Sequence, residues 1–249
     1  MRPTPWAYGQ FEDFVLECSC LILSYVGHLN PADRNDPVKV ARHISQVVNS
    51  HDDRGVVEGN WTTDFSDGRA PTTWMGSASI LQQFFRTRRP VRYGQCWTFA
   101  GVATTGKSSH SLCHFLLAKL TLLILLCLTV CRALGLPSRT VTNYQSAHDT
   151  HKSLTVDRFF STNLEPLDDR NRDSIWNFHV WTEVWMQRED LPGGYDGWQV
   201  LDATPQEISS GLFRCGPASV LAVKRGEIQY PYGEFETNLS LFFQTNAIF

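Results

Sequence analysis

Apolar and polar positions recur along this chain with two different periods. In residues 12–26 the apolar positions Phe14, Val15, Cys18, Leu21, Ile22 and Tyr25 return at three- and four-residue intervals, which predicts an amphipathic helix with one buried face. Asn30-Pro31 ends it. Asp36-Pro37 then offers a side-chain cap followed by proline at the first helical position, and Val38, Val40, Ile44, Val47 and Val48 continue at helical spacing, predicting a second helix. Residues 49–55 read as a polar loop, and 62–73, rich in Asp, Gly, Ser and Thr, as an irregular surface segment. Helical periodicity returns over 74–85, and a further helix is expected to begin at Cys96, just after Gly94. In the second half the period shortens, and 139–144, 154–159, 175–187 and 197–202 are expected to be strands. Asp190-Leu191-Pro192-Gly193-Gly194 is the turn between the last two. Helices followed by strands predict an α+β domain in which the helix bearing Cys96 packs on an antiparallel sheet.

Composition narrows the function without naming it. The chain has 249 residues, 42% of them apolar and 19% charged, enough for one domain with a substantial core. Its net charge of −3 and its basic residues, dispersed apart from Arg86, Arg88, Arg89 and Arg92 around one loop, leave no footprint for a nucleic acid. The cysteines number seven, at irregular spacings, unlike a disulfide framework or a paired zinc site, so a reducing compartment is expected. The stretch from Arg2 to Trp6 lacks the apolar core of a signal peptide, so the protein is expected in the cytoplasm or exported by a non-classical route. Residues 112–130 are apolar almost throughout and long enough to reach the transmembrane range. They also contain His114 and Lys119, and a span here would draw the neighbouring Cys96 helix into lipid, so no membrane partner is expected.

The candidate chemistry starts at Cys96. A cysteine at a helix N-terminus faces unpaired backbone N–H groups and the positive end of the dipole, a setting that suits an anion. A cysteine nucleophile needs a base, and the base needs a group that holds its tautomer. His179, among the aromatic residues of 176–181, and Asp202, at the end of 198–202, provide that pair if their strands form a hairpin.

These segments carry a family resemblance. Tyr93-Gly94-Gln95-Cys96-Trp97, Trp176-Asn177-Phe178-His179-Val180-Trp181 and Gly197-Trp198-Gln199-Val200-Leu201-Asp202-Ala203-Thr204-Pro205-Gln206-Glu207 resemble signature blocks of animal transglutaminases. Residues 141–150 and 214–219 are similar to two more. The resemblance implies a papain-like transglutaminase catalytic core over residues 1–232, incomplete at its C-terminal end, with a divergent tail over 233–249. It also implies acyl transfer from a protein glutamine to a lysine, a polyamine or another primary amine through a Cys96 thioester, with His179 and Asp202 completing the triad. By the same resemblance Trp61 supplies an indole N–H to the oxyanion and Trp176 walls the amine channel. Calcium is the implied cofactor: one loop matches through Asn49 and Asp53 with Gln46 and His51, and a second set through Asp149, Ser153, Thr155 and Asp173. There His151 stands where the family usually has a carboxylate, so a weaker site is expected. Residues 106–129 have no family counterpart. Their flanks join into the family pattern when they are deleted, and Gly106-Lys107 can be encoded by codons containing a splice-donor GT, so translated intron is the reading preferred over a membrane span or a buried helix. The alternative to an enzyme is a catalytically silent transglutaminase-like scaffold, or a non-functional splice or truncation form, with a cysteine protease further off.

Overall fold

The computed structural model describes residues 5–104, 131–150, 155–206 and 208–227. Residues 106–129 and Ser153 therefore lie outside the described residues, as do His151 and the tail 233–249. Among the described residues no helix is long and apolar enough to cross a membrane.

The N-terminal helices form where the periodicity places them, with ends set by tertiary partners. Helix α1 covers Val15–Leu21 and continues through a wider helical turn at Ile22–Val26. Helix α2, Pro37–Val47, starts at the expected cap: Asp36 Oδ1 accepts from the backbone N–H groups of Val38 and Lys39 at 2.9 and 3.2 Å. Such a cap contributes about 1 kcal/mol. Val40, Ala41, Ile44 and Val47 are buried on its inner face, and so is Arg42, which donates to Gly216 O at 2.9 Å and Ser209 Oγ at 2.7 Å. After strand β1, Val57–Gly59, the next helix, α3, runs Ser77–Thr87 rather than 74–85. Residues 74–76 stay extended because they pair with the chain near Ala7: Ala7 donates to Met75 O, Ser77 donates back to Ala7 O, and the Trp74 indole donates to Tyr93 O at 2.9 Å.

Strand β2, Val91–Gly94, pairs in parallel with β1 and leads directly into helix α4, Cys96–Thr104. This small parallel pair is absent from the sequence pattern, since each strand is too short to show a period. The main sheet follows, with β3 Ser138–His148, β4 Ser174–Met186 and β5 Gly197–Asp202. A short hairpin, β6 Ile208–Ser209 and β7 Leu212–Phe213, precedes β8 Cys215–Ser219 and helix α5 Val220–Arg225. The sheet order is β3-β4-β5-β8, antiparallel throughout. Helix α4 lies across β4, held by Thr182 Oγ1 donating to Ala100 O at 3.1 Å and by the Thr104–Thr182 hydroxyl pair at 3.0 Å. Ile44, Ile80, Phe84, Phe99, Val102, Val184 and Leu201 join helices and sheet in one buried cluster. Each such side chain, fully buried, is worth roughly 1.5–3 kcal/mol of transfer free energy. The expected α+β arrangement is the one observed.

The strand expected over 154–159 does not form in its described part. Residues 155–159 have no neighbouring strand, because their donors are taken elsewhere: Asp157 N–H goes to Asp173 Oδ2 at 2.8 Å, and Phe159 N–H to Asn171 Oδ1 at 2.7 Å. Side chains from a distant segment replace the ladder.

Candidate active site

The parallel β1–β2 pair sets two chain segments side by side. Strand β1 leads into Asn60-Trp61 and β2 into Gln95-Cys96, and the two exits are cross-linked: Asn60 N–H donates to Gly94 O at 3.2 Å, and Gln95 Nε2 donates to Asn60 O at 2.9 Å. Trp61 remains 48% exposed and stacks on Phe99 of α4 at 6.3 Å. Gly59 makes room for it, since a Cβ there would sit 2.5 Å from the indole ring.

Cys96, the first residue of α4, is buried with Ala100 and Val180, against Trp97 and Phe178. His179 of β4 and Asp202 at the end of β5 are buried beside it. The imidazole Nε2 donates to Asp202 Oδ2 at 2.7 Å. Nε2 being taken by Asp202, the buried Nδ1 is the nitrogen left for Cys96, whose side chain acts on the ring as a charge partner. Burial opposes the imidazolium, but the charge of Asp202, its hydrogen bond and the Cys96 side chain outweigh that cost and push His179 up to about 10. The structure thus brings Cys96, His179 and Asp202 together, with the ring orientation that leaves Nδ1 for sulfur.

Asp202 is held more firmly than its place at a strand end suggested. Its Oδ1 accepts from Thr204 N–H at 2.9 Å, and its Oδ2 accepts from Gln206 Nε2 at 2.8 Å as well as from His179. Gln206, Gln95 and Thr182 escaped sequence reasoning as parts of the site. Gln206 lay inside a recognised block, but nothing in its spacing singled it out. Trp176 meets His179 edge-on at 5.2 Å, with its indole N–H on Ser174 Oγ at 3.1 Å.

Residues 123–203 match the transglutaminase-like superfamily. The chain is 51% identical over 228 residues to the hemocyte protein-glutamine gamma-glutamyltransferase of Tachypleus tridentatus, covering 91% of this chain and 27% of that protein. It is 51% identical over 236 residues to annulin of Schistocerca americana, covering 93% of this chain and 28% of that protein. The crystal structure of red sea bream transglutaminase superposes with a TM-score of 0.74 at 44% identity, over 97% of this chain and 33% of that one. The chain belongs to the transglutaminase family. Its fold is the papain-like transglutaminase core, and it spans between 27% and 33% of the length of these relatives.

Within this transglutaminase core the first expected calcium loop is gathered behind α2. Gln46 Nε2 donates to Asp53 Oδ2 at 3.3 Å, Asn49 Oδ1 accepts from His51 N–H at 3.1 Å, and the Asn49 amide donates to Phe213 O at 2.9 Å. Asp53 Oδ1 is buried with no hydrogen-bond partner among the described residues, and burial raises the Asp53 carboxyl above its ordinary range. In the second set Asp149 and Asp173 are buried. Asp173 Oδ1 accepts from the Thr150 N–H and hydroxyl at 2.9 and 2.7 Å, and Thr155 donates to Asp157 Oδ1 at 2.8 Å. Among the described residues no three His, Cys, Asp or Glu side chains are grouped as a metal site. Asp53 is the only carboxylate of the first set, whose other donors are amide and carbonyl oxygens, an oxygen-rich environment of the kind a hard cation takes.

Proposed function

We propose that the protein is a protein-glutamine γ-glutamyltransferase. The observation that carries this reading is the hydrogen bond from His179 Nε2 to Asp202, which turns Nδ1 toward Cys96 at the head of α4. Cys96 sulfur attacks the carboxamide carbon of a protein glutamine, and His179 gives its proton to the departing nitrogen, which leaves as ammonia. His179 then takes a proton from an incoming lysine or polyamine amine as that amine attacks the thioester, releasing an isopeptide product and the free thiolate. Asp202 keeps the imidazole in the tautomer both steps need. The oxyanion of each tetrahedral intermediate takes the Trp61 indole N–H and the Cys96 backbone N–H, on the loop pair that Gln95 ties together. Trp176, packed on His179, walls the amine side and keeps water out.

Gln46, Asn49, His51 and Asp53 would hold a calcium ion, whose charge would satisfy the buried Asp53 Oδ1 and brace the loop under α2. Asp149, Ser153, Thr155 and Asp173 form the second candidate set. Incorporation of a labelled primary amine into a glutamine-rich protein is expected with calcium present and lost on chelation. Absence of incorporation with calcium, both with residues 106–129 and with them deleted, would sink the enzyme reading in favour of a silent relative. Peptide-bond cleavage without amine incorporation would point to a protease.

We read residues 1–232 as the core, 233–249 as a divergent tail and 106–129 as translated intron. Sequencing transcripts across Thr105 and Val130 is expected to return a form lacking 106–129, and recovery of the inserted form alone would refute this.

A further inference from the structure

We propose that Gln206 is a positioning residue for the acyl-transfer centre, locking the Asp202 carboxylate so that His179 keeps Nδ1 on Cys96. This rests on the acyl-transferase reading above. The backbone folds back after Asp202: Gln206 N–H donates to Thr204 O at 2.8 Å, which returns the side chain over the carboxylate. Gln206 Nε2 then donates to Asp202 Oδ2 at 2.8 Å and sits 3.1 Å from His179 Nε2.

The chemistry of the three atoms decides which way the amide points. Asp202 Oδ2 is an acceptor, and two N–H groups converge on it, one from His179 and one from Gln206. The reverse orientation would set the amide oxygen against a carboxylate oxygen. With the amide nitrogen facing Asp202, the Gln206 N–H and the His179 Nε2–H share Oδ2 as their acceptor, and the ring protonated at Nε2 toward Asp202 keeps Nδ1 for Cys96. Thr204 N–H occupies Oδ1, so rotation of the carboxylate breaks bonds at both oxygens. Among the described residues the groups acting electrostatically on His179 are Asp202 of β5 and Cys96 of α4. Asn143 of β3 stands opposite it across the strand pair, and Trp176 and Trp181 of its own strand are neutral. Gln206 is therefore a neutral side chain that touches both members of the His179–Asp202 pair.

The test uses the full chain with Gln206→Met, which keeps length and loses the donor, and Gln206→Glu, which regains a donor only when protonated. Labelling of Cys96 by iodoacetamide, read on its own peptide by mass spectrometry, reports the reactivity of the sulfur beside His179 without requiring turnover. Gln206→Met is expected to label Cys96 about 5- to 10-fold more slowly than wild type near pH 7, with a melting temperature within a few degrees. Gln206→Glu is expected to label close to wild type near about pH 5, where a protonated carboxyl donates to Asp202, and to fall to the Met level by about pH 8, where two carboxylates repel. Labelling of Gln206→Met within about twofold of wild type across this range, or a Gln206→Glu profile that follows Met at low pH, overturns the proposal. Should Gln206→Met fail to fold, the low- to high-pH ratio in Gln206→Glu decides alone. A missing amine incorporation with this labelling pattern intact counts against the transferase reading and leaves the role of Gln206 standing.

Discussion

Cys96→Ala is expected to abolish amine incorporation, a loss of at least about 10³-fold, because it removes the sulfur that partners His179 and would carry the thioester. Cys18 and Cys131 cannot substitute: both are buried, and burial pushes each thiol up to about 12, well away from a reactive state at neutral pH. Neither has a histidine acting on it in the way His179 acts on Cys96. The fold should survive, since the small cavity left in the Cys96, Ala100 and Val180 cluster costs on the order of 1 kcal/mol. The measurement pairs labelled-amine incorporation with the mass of the acyl-enzyme formed from a glutamine peptide. Incorporation by Cys96→Ala at a tenth of the wild-type rate or better would remove Cys96 from the mechanism.

The second large effect is expected from Asp202→Asn. Asp202 is the main favourable influence holding His179 at about 10 against the opposing cost of burial. A neutral amide keeps the shape but drops the charge, so His179 falls back toward or below its ordinary value and its tautomer is no longer fixed. Amine incorporation should drop by about 10²- to 10⁴-fold, with the Michaelis constant for the glutamine substrate little changed. The same change alters stability against pH. A histidine raised by folding contributes stability that is fully present below its unfolded pKa, near about 6.5, and is lost as pH rises through the folded value near about 10. The wild-type minus Asp202→Asn difference in urea midpoint should therefore shrink between these limits. A constant difference across that window would show that Asp202 does not hold the imidazolium.

Much of this architecture was legible from local pattern. The Asp36-Pro37 start of α2, the buried faces of α1 and α2, and the pairing of β4 with β5 follow from capping and from the spacing of apolar residues, which are properties of neighbouring positions. Two segments misled for a shared reason. Residues 155–159 look like a strand, and residues 74–76 look like part of a helix, yet each has its backbone hydrogen bonds claimed by groups remote in sequence: Asp173 and Asn171 in one case, Ala7 in the other.

The sequence by itself determined the α+β class, the helix starting at Cys96, and the residue types from which a thiol, an imidazole and a carboxylate could be assembled. Only the tertiary structure decided how they meet. The short β1–β2 pair brings Asn60-Trp61 beside Gln95-Cys96, Thr182 seats α4 across β4, and His179 presents Nε2 rather than Nδ1 to Asp202. Gln206 joins the site through a turn whose geometry no periodicity reveals. The division has one physical reason: periodicity and capping depend on neighbours a few residues away, whereas the site depends on donors and acceptors that meet only once distant strands and helices have packed.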